Sequence, residues 1–216
     1  MLGTSKDIKY PGLNILPPGV ERHVVNGGGL TGFQVFPDDE IEIVNNEGNQ
    51  ICEIICFDKS GKSELGIFNL KENSKKNYIK NILLGKDETI LATNYQLKKR
   101  NLNISDSHAA IIFDPDTNAG EVIKLKSNDK CYAIFASPGD DMDVTNQNPP
   151  GELTIFIKRS KITNDKELNV IPDPVFEPAH EENILRQSCT SYEVKEGDYI
   201  QIISPTGRQC SDFVAF

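Results

Sequence analysis

The chain has 216 residues, 38% of them hydrophobic, and carries 23 Lys and Arg against 32 Asp and Glu, for a net charge of −9. That balance speaks against nucleic acid or an anionic membrane surface as partner, since both call for a basic face. No apolar run approaches the roughly 18 residues of a membrane span, the N-terminus lacks the apolar core of a secretory signal, and the five cysteines are scattered and odd in number, so the expected compartment is the reducing cytoplasm.

Residues 1–20 bear prolines and glycines without alternation and read as an extended N-terminal arm. Strand patterns begin at His23. Val24-Val25, Phe33–Phe36 and Glu40–Val44 are short, partly alternating runs, and Ile51–Phe57 returns after the turn signal Asn45-Asn46-Glu47-Gly48, which predicts a hairpin. Between the first two runs, Gly27-Gly28-Gly29-Leu30-Thr31-Gly32 satisfies G-x-G-x-x-G. A dinucleotide site needs a helix to follow, whereas Phe33-Gln34-Val35-Phe36-Pro37 is extended, so a turn or bulge is the expected reading.

Residues 73–100 break the β texture. Tyr78, Ile79, Ile82 and Leu83 recur at helical spacing behind Asn73-Ser74, which can cap, and Gly85 is a plausible stop. Asp87-Glu88 opens a second helix ending in Lys98-Lys99-Arg100, an acidic start and basic finish that suit the helix dipole. Strands resume at Ala109–Phe113, Ala119–Leu125, Cys131–Ala136 and Leu153–Ile157. Residues 161–189 are charged and proline-bearing and read as a linker with one short helix near Glu181–Gln187.

Residues 194–216 then repeat residues 35–57 without a gap. Val35, Asp39, Ile41, Ile43, Gly48, Gln50 and Phe57 meet Val194, Asp198, Ile200, Ile202, Gly207, Gln209 and Phe216, and Glu53 meets Asp212. The expected organisation is a first module over 21–160 and the start of a second over 190–216, cut from a longer polypeptide. The expected fold class is α+β, mainly β: an antiparallel barrel- or sandwich-like module with an inserted pair of short helices, plus the first hairpin of a second, similar module.

Few constellations carry chemistry. Cys52 and Cys56, four apart on a strand, lack the second pair or the spaced histidines of a zinc site, so no metal is expected and buried packing explains them better. Asp106-Ser107-His108 reads as a polar loop, since neighbours in sequence seldom converge as a triad. What remains is G-x-Q-x-x-D at Gly207, Gln209 and Asp212, echoed by Gly48, Gln50 and Glu53. Amide and acid lie three apart, so a bulge is needed to align them on a strand. Either Gln satisfies backbone groups at the turn while the acid caps or pairs locally, or the two bind a small polar nitrogen-containing molecule. No catalytic residue emerges.

Those same residues carry a resemblance. Val194–Asp198 through Gly207-Arg208-Gln209-Cys210-Ser211-Asp212-Phe213 resembles the opening of the urea carboxylase-associated (urea amidolyase-associated) domain family, some members of which are implicated in carboxyguanidine deimination. Gly207, Gln209 and Asp212 match its motif, Gly48, Gln50 and Glu53 match it more weakly, and Asn148–Ile157 is similar to a proline-rich approach to a late strand of that domain. The family's later Thr-, Cys- and His-bearing segments have no clear counterpart in residues 60–145. Pro17–Val25 with Gly27-Gly28-Gly29, followed by such a domain, resembles the N-terminal part of bacterial aminomethyltransferase-family proteins, in which a folate-binding, glycine-cleavage T-protein-like domain follows. The resemblance implies a non-catalytic N-terminal portion of a transferase of one-carbon metabolism. It would have no cofactor of its own, tetrahydrofolate would serve the parent, and its partner would be the downstream domain of the same polypeptide. It also leaves open an amidohydrolase or deiminase acting on a urea- or guanidine-like compound held by Gln209 and Asp212. A pure interaction module with a basic or neutral partner is a third expectation.

Overall fold

Cys52–Asp58 and Cys131–Ala136 are apolar on both faces, and that decides where they sit. In the computed structural model, which describes residues 16–17, 19–139, 149–160, 178–203 and 210–215, every residue of Cys52–Phe57 and Cys131–Ala136 is buried. Such strands need cover on both sides. By contrast Glu40–Asn45 alternates, with Ile41 and Ile43 buried and Glu40 exposed, as a strand with one open face does.

In chain order the strands are β1 (Val20–Val25), β2 (Leu30–Val35), β3 (Glu40–Asn45), β4 (Cys52–Asp58), β5 (Ala110–Phe113), β6 (Glu121–Lys126), β7 (Cys131–Ala136) and β8 (Leu153–Lys158). They form two four-stranded antiparallel sheets of order β1-β8-β3-β6 and β2-β7-β4-β5. Apart from β4 to β5, each strand is followed by one in the other sheet, the connectivity of a jelly roll. The mainly β, sandwich-like expectation holds. The inter-sheet core contains Val25, Phe33, Val35, Ile41, Ile43, Phe113, Phe135 and Ile155, together with Cys52, Cys56 and Cys131.

The insert between β4 and β5 holds α1 (Tyr78–Ile82) and α2 (Glu88–Lys99). Ile79, Leu83, Ile90 and Leu97 cover Leu30, Ile55, Phe57, Tyr132 and Ile134, which gives the second sheet its outer cover. Asn94 ties the helices together by donating from Nδ2 to the Leu83 carbonyl at 3.0 Å. The cap of α1 is Asn77 rather than Asn73 or Ser74. Asn73 instead lies beside β5, its Oδ1 accepting from the Ile111 N–H and its Nδ2 donating to the Ile111 carbonyl.

Two expectations are corrected. The predicted hairpin over 40–57 is an arch: β3 pairs with β6 and β8, while β4 pairs with β5 and β7 in the other sheet. The turn chemistry at Asn45–Gly48 specifies a reversal, but apolar residues on both faces of β4 draw it into the helix-covered sheet. Second, the described residues of 190–216 form no strand, and Glu181–Gln187 forms no helix. A lone hairpin cannot bury its apolar face and is marginal in water.

Candidate functional site

The arch itself is built from the G-x-Q-x-x-acid residues. Gly48 has φ 79°, and a Cβ there would lie 2.6 Å from the Ala119 nitrogen, so both conformation and space demand glycine. Asn45 closes the arch, its Oδ1 accepting from Gly48 N at 2.9 Å and its Nδ2 donating to the Gln50 carbonyl at 2.9 Å. Gln50, only 4% exposed, donates to the Pro138 carbonyl at 2.8 Å and the Ile51 carbonyl at 3.0 Å, and accepts from Gly151 N at 2.5 Å. Its amide thereby pins the β7–β8 connection to the arch.

Glu53 is fully buried. It lies at a register shift between Cys52 and Glu53 in the β4–β5 pairing, which does not align it with Gln50. Its carboxylate accepts from Ile79 N at 2.7 Å and from the Ser74 hydroxyl, so it anchors the first turn of α1 to the sheet. Gln50 and Glu53 therefore engage different parts of the fold: one holds the β7–β8 connection, the other the helical insert. In the second copy, Gly207 and Gln209 lie outside the described residues, and Asp212 is exposed.

The other sequence candidates resolve simply. Gly27 and Gly28 lead into strand β2, not a helix, and a Cβ on Gly27 would sit 1.8 Å from the Pro150 carbonyl oxygen, so the glycines permit a close backbone approach. Cys56 donates from its thiol to the Glu64 carbonyl at 2.8 Å. The adjacent Cys131 thiol and burial push the Cys56 thiol far up, and burial does the same to Cys52. Neither is a ready nucleophile. Among the described residues no three His, Cys, Asp or Glu side chains gather as a metal site requires. Asp106 and His108 turn to separate partners, Asn103 and Glu72.

A charged cluster around the buried Arg159 and Asp39 was not singled out from sequence. Arg159, at the end of β8, is 10% exposed and reaches Glu21 Oε1 at 2.6 Å, Glu21 Oε2 at 2.8 Å, Asp39 Oδ2 at 2.7 Å and the Gln34 carbonyl at 2.9 Å. Asp39, 1% exposed, also accepts from Phe36 N at 3.0 Å and Ser160 N at 2.9 Å. His23 Nε2 lies 3.1 Å from Glu21 Oε2, and its ring stacks on Phe33 at 4.6 Å. Burial pushes the Glu21 carboxyl up, but hydrogen bonds from His23 and Arg159 outweigh it and hold the group at about 2, against an ordinary 4.5. The signal was present: Glu21 and His23 share the face of β1 that carries the buried Val25, and charge on a core-facing side calls for a partner.

Comparison with known proteins gives three findings. No family model matches the chain. A trimethylamine-oxide aldolase of Ruegeria pomeroyi is 34% identical over 209 residues, covering 97% of this chain and 26% of its own length, so the chain spans about a quarter of that relative. A crystal structure of a DUF1989 family protein from Silicibacter pomeroyi aligns over 74% of this chain and 85% of its own at 10% identity, with a TM-score of 0.36, too loose a match to carry an argument. The aldolase overturns the aminomethyltransferase reading and, with it, the transferase expectation that rested on that resemblance. The amidohydrolase or deiminase alternative does not fit it either.

Proposed function

We propose that this chain is a β-sandwich module of a trimethylamine-oxide aldolase-type protein. The similarity over 97% of its residues to an enzyme of that name carries the reading. An aldolase acting on trimethylamine oxide releases an aldehyde, and the atoms of the substrate balance as dimethylamine plus formaldehyde. The substrate is thus a small polar nitrogen compound, the ligand class considered for the Gln and acid pair. The module's own part is to hold a rigid frame. Gln50 and Glu53 are consumed by backbone groups that join the arch to the β7–β8 connection and to α1. The remainder of the polypeptide is the module's partner. Among the described residues no helix is long and apolar enough to cross a membrane, and the three buried thiols suit the cytoplasm.

The experiment is turnover of trimethylamine oxide by the natural polypeptide that carries residues 1–216, read as formaldehyde and dimethylamine in equal amounts. Absence of both products from a folded sample overturns the assignment. Gln50→Ala and Glu53→Ala should lower Tm while leaving kcat of the folded fraction unchanged. Loss of turnover in Glu53→Gln at an unchanged Tm would make Glu53 a ligand-binding group instead.

A further inference from the structure

The two copies of the repeat share a turn that is already formed in both. In the first copy, Phe36 N donates to Asp39 Oδ2 at 3.0 Å and Asp39 N donates to the Phe36 carbonyl at 3.1 Å, with Asp38 at φ 66°. In the second, Lys195 N donates to Asp198 Oδ2 at 2.7 Å and Asp198 N donates to the Lys195 carbonyl at 3.0 Å, with Gly197 at φ 89°. Phe36, Asp38 and Asp39 are the residues that the gapless alignment places opposite Lys195, Gly197 and Asp198. Of the four positions of each turn only the closing aspartate is shared, and it makes the same hydrogen bonds in both turns.

What differs, among the described residues, is the burial on either side of the turn. Val35, Ile43 and Ile55 are 0% exposed, while their counterparts Val194, Ile202 and Val214 are 51%, 60% and 71% exposed. Asp39 meets Arg159 and Ser160. In the first copy, every strand that pairs with β3 or β4 lies later in the chain: β6 and β8 for β3, β5 and β7 for β4. An arch of this kind has no stability of its own, because its two strands belong to different sheets and bond to strands that have yet to follow.

We infer that residues 194–203 and 210–215 belong to the opening of a second sandwich, and that their apolar side chains are covered by antiparallel strands supplied by the same polypeptide after residue 216. The strand that follows Asp198 takes two neighbours, as β3 does. The Asp198 carboxylate receives a cationic side chain from the end of the last of these strands, as Asp39 receives Arg159. The aldolase relative, of which this chain spans 26%, has the length to supply them. This inference stands whether or not the protein acts on trimethylamine oxide.

Hydrogen exchange on the natural polypeptide tests it, with the 216-residue chain as reference. Amides at Ile200–Ile203 and Phe213–Val214 should exchange about a hundredfold more slowly in the natural polypeptide than in the 216-residue chain, a factor equivalent to about 2.8 kcal/mol of opening free energy. Ile202→Asp in the natural polypeptide should abolish that protection while leaving the amides of Ile41–Ile43 protected. Unprotected exchange in the natural polypeptide overturns the inference. So does equal protection in both proteins, or protection that disappears on dilution, which would make a second copy the occupant. A reading frame ending at Phe216 overturns it as well.

Discussion

Residues 35–57 and 194–216 carry one pattern in two environments. In the first, Ile43 and Ile55 are sealed between layers; in the second, Ile202 and Val214 are open to water. Their turns are alike down to the hydrogen bonds of Asp39 and Asp198. The difference teaches that a local sequence is enough to form a turn, because its donors and acceptors lie within four residues. It is not enough to form a strand, whose partners lie elsewhere. Conformational entropy of roughly 1–2 kcal/mol per ordered residue is offset only when apolar area is buried.

The comparison can be broken most severely at Arg159. Arg159→Ala leaves the buried Asp39 carboxylate without its cationic partner, which should cost about 3–5 kcal/mol in urea denaturation. Asp198→Ala at the matching turn of the 216-residue chain should stay within about 0.5 kcal/mol. Equal losses would mean that the second turn is already supported by tertiary contacts.

Core truncation sharpens the same contrast. Ile43→Ala and Ile55→Ala should each lose about 2–5 kcal/mol. Ile202→Ala and Val214→Ala should lose under about 0.5 kcal/mol in the 216-residue chain, and a value like that of the core in the natural polypeptide. Next in size is the acid of the motif. Glu53→Ala deprives the buried Ile79 N–H of its acceptor, at about 1–3 kcal/mol, while Asp212→Ala in the 216-residue chain should be close to neutral by the same unfolding measurement.

The smallest effect is a pH dependence confined to the first module. Glu21 is held at about 2, below its ordinary 4.5. A carboxylate depressed in the folded state contributes stability above its unfolded pKa, and that contribution is lost as pH falls through the folded value. Stability should therefore decline between about pH 4.5 and pH 2. Glu21→Gln should flatten that part of the curve.

Most of the first module was legible because its patterns are local. The alternation in Glu40–Val44, the apolar runs at Cys131–Ala136 and Leu153–Ile157, and the helical spacing of Ile79 and Leu83 each report burial through residue order alone. The arch was misread as a hairpin because Asn45-Asn46-Glu47-Gly48 announces a reversal without saying whether the chain returns beside itself or crosses to another sheet. The Arg159 cluster was missed because its members come from β1, the β2–β3 turn and the end of β8. The backbone partners of Gln50 and Glu53, Gly151 and Ile79, belong to segments that no spacing rule connects to them.

By itself, the sequence determined most strands and both helices of residues 20–160, the repeat and the absence of a long apolar span. All of these follow from side-chain chemistry within a few residues. Only the tertiary structure decided which sheet each strand joins, which charges meet at Arg159 and which copy of the repeat is buried. Those outcomes depend on closing long loops, and the cost of closure is recovered only when distant apolar faces and buried polar groups find one another.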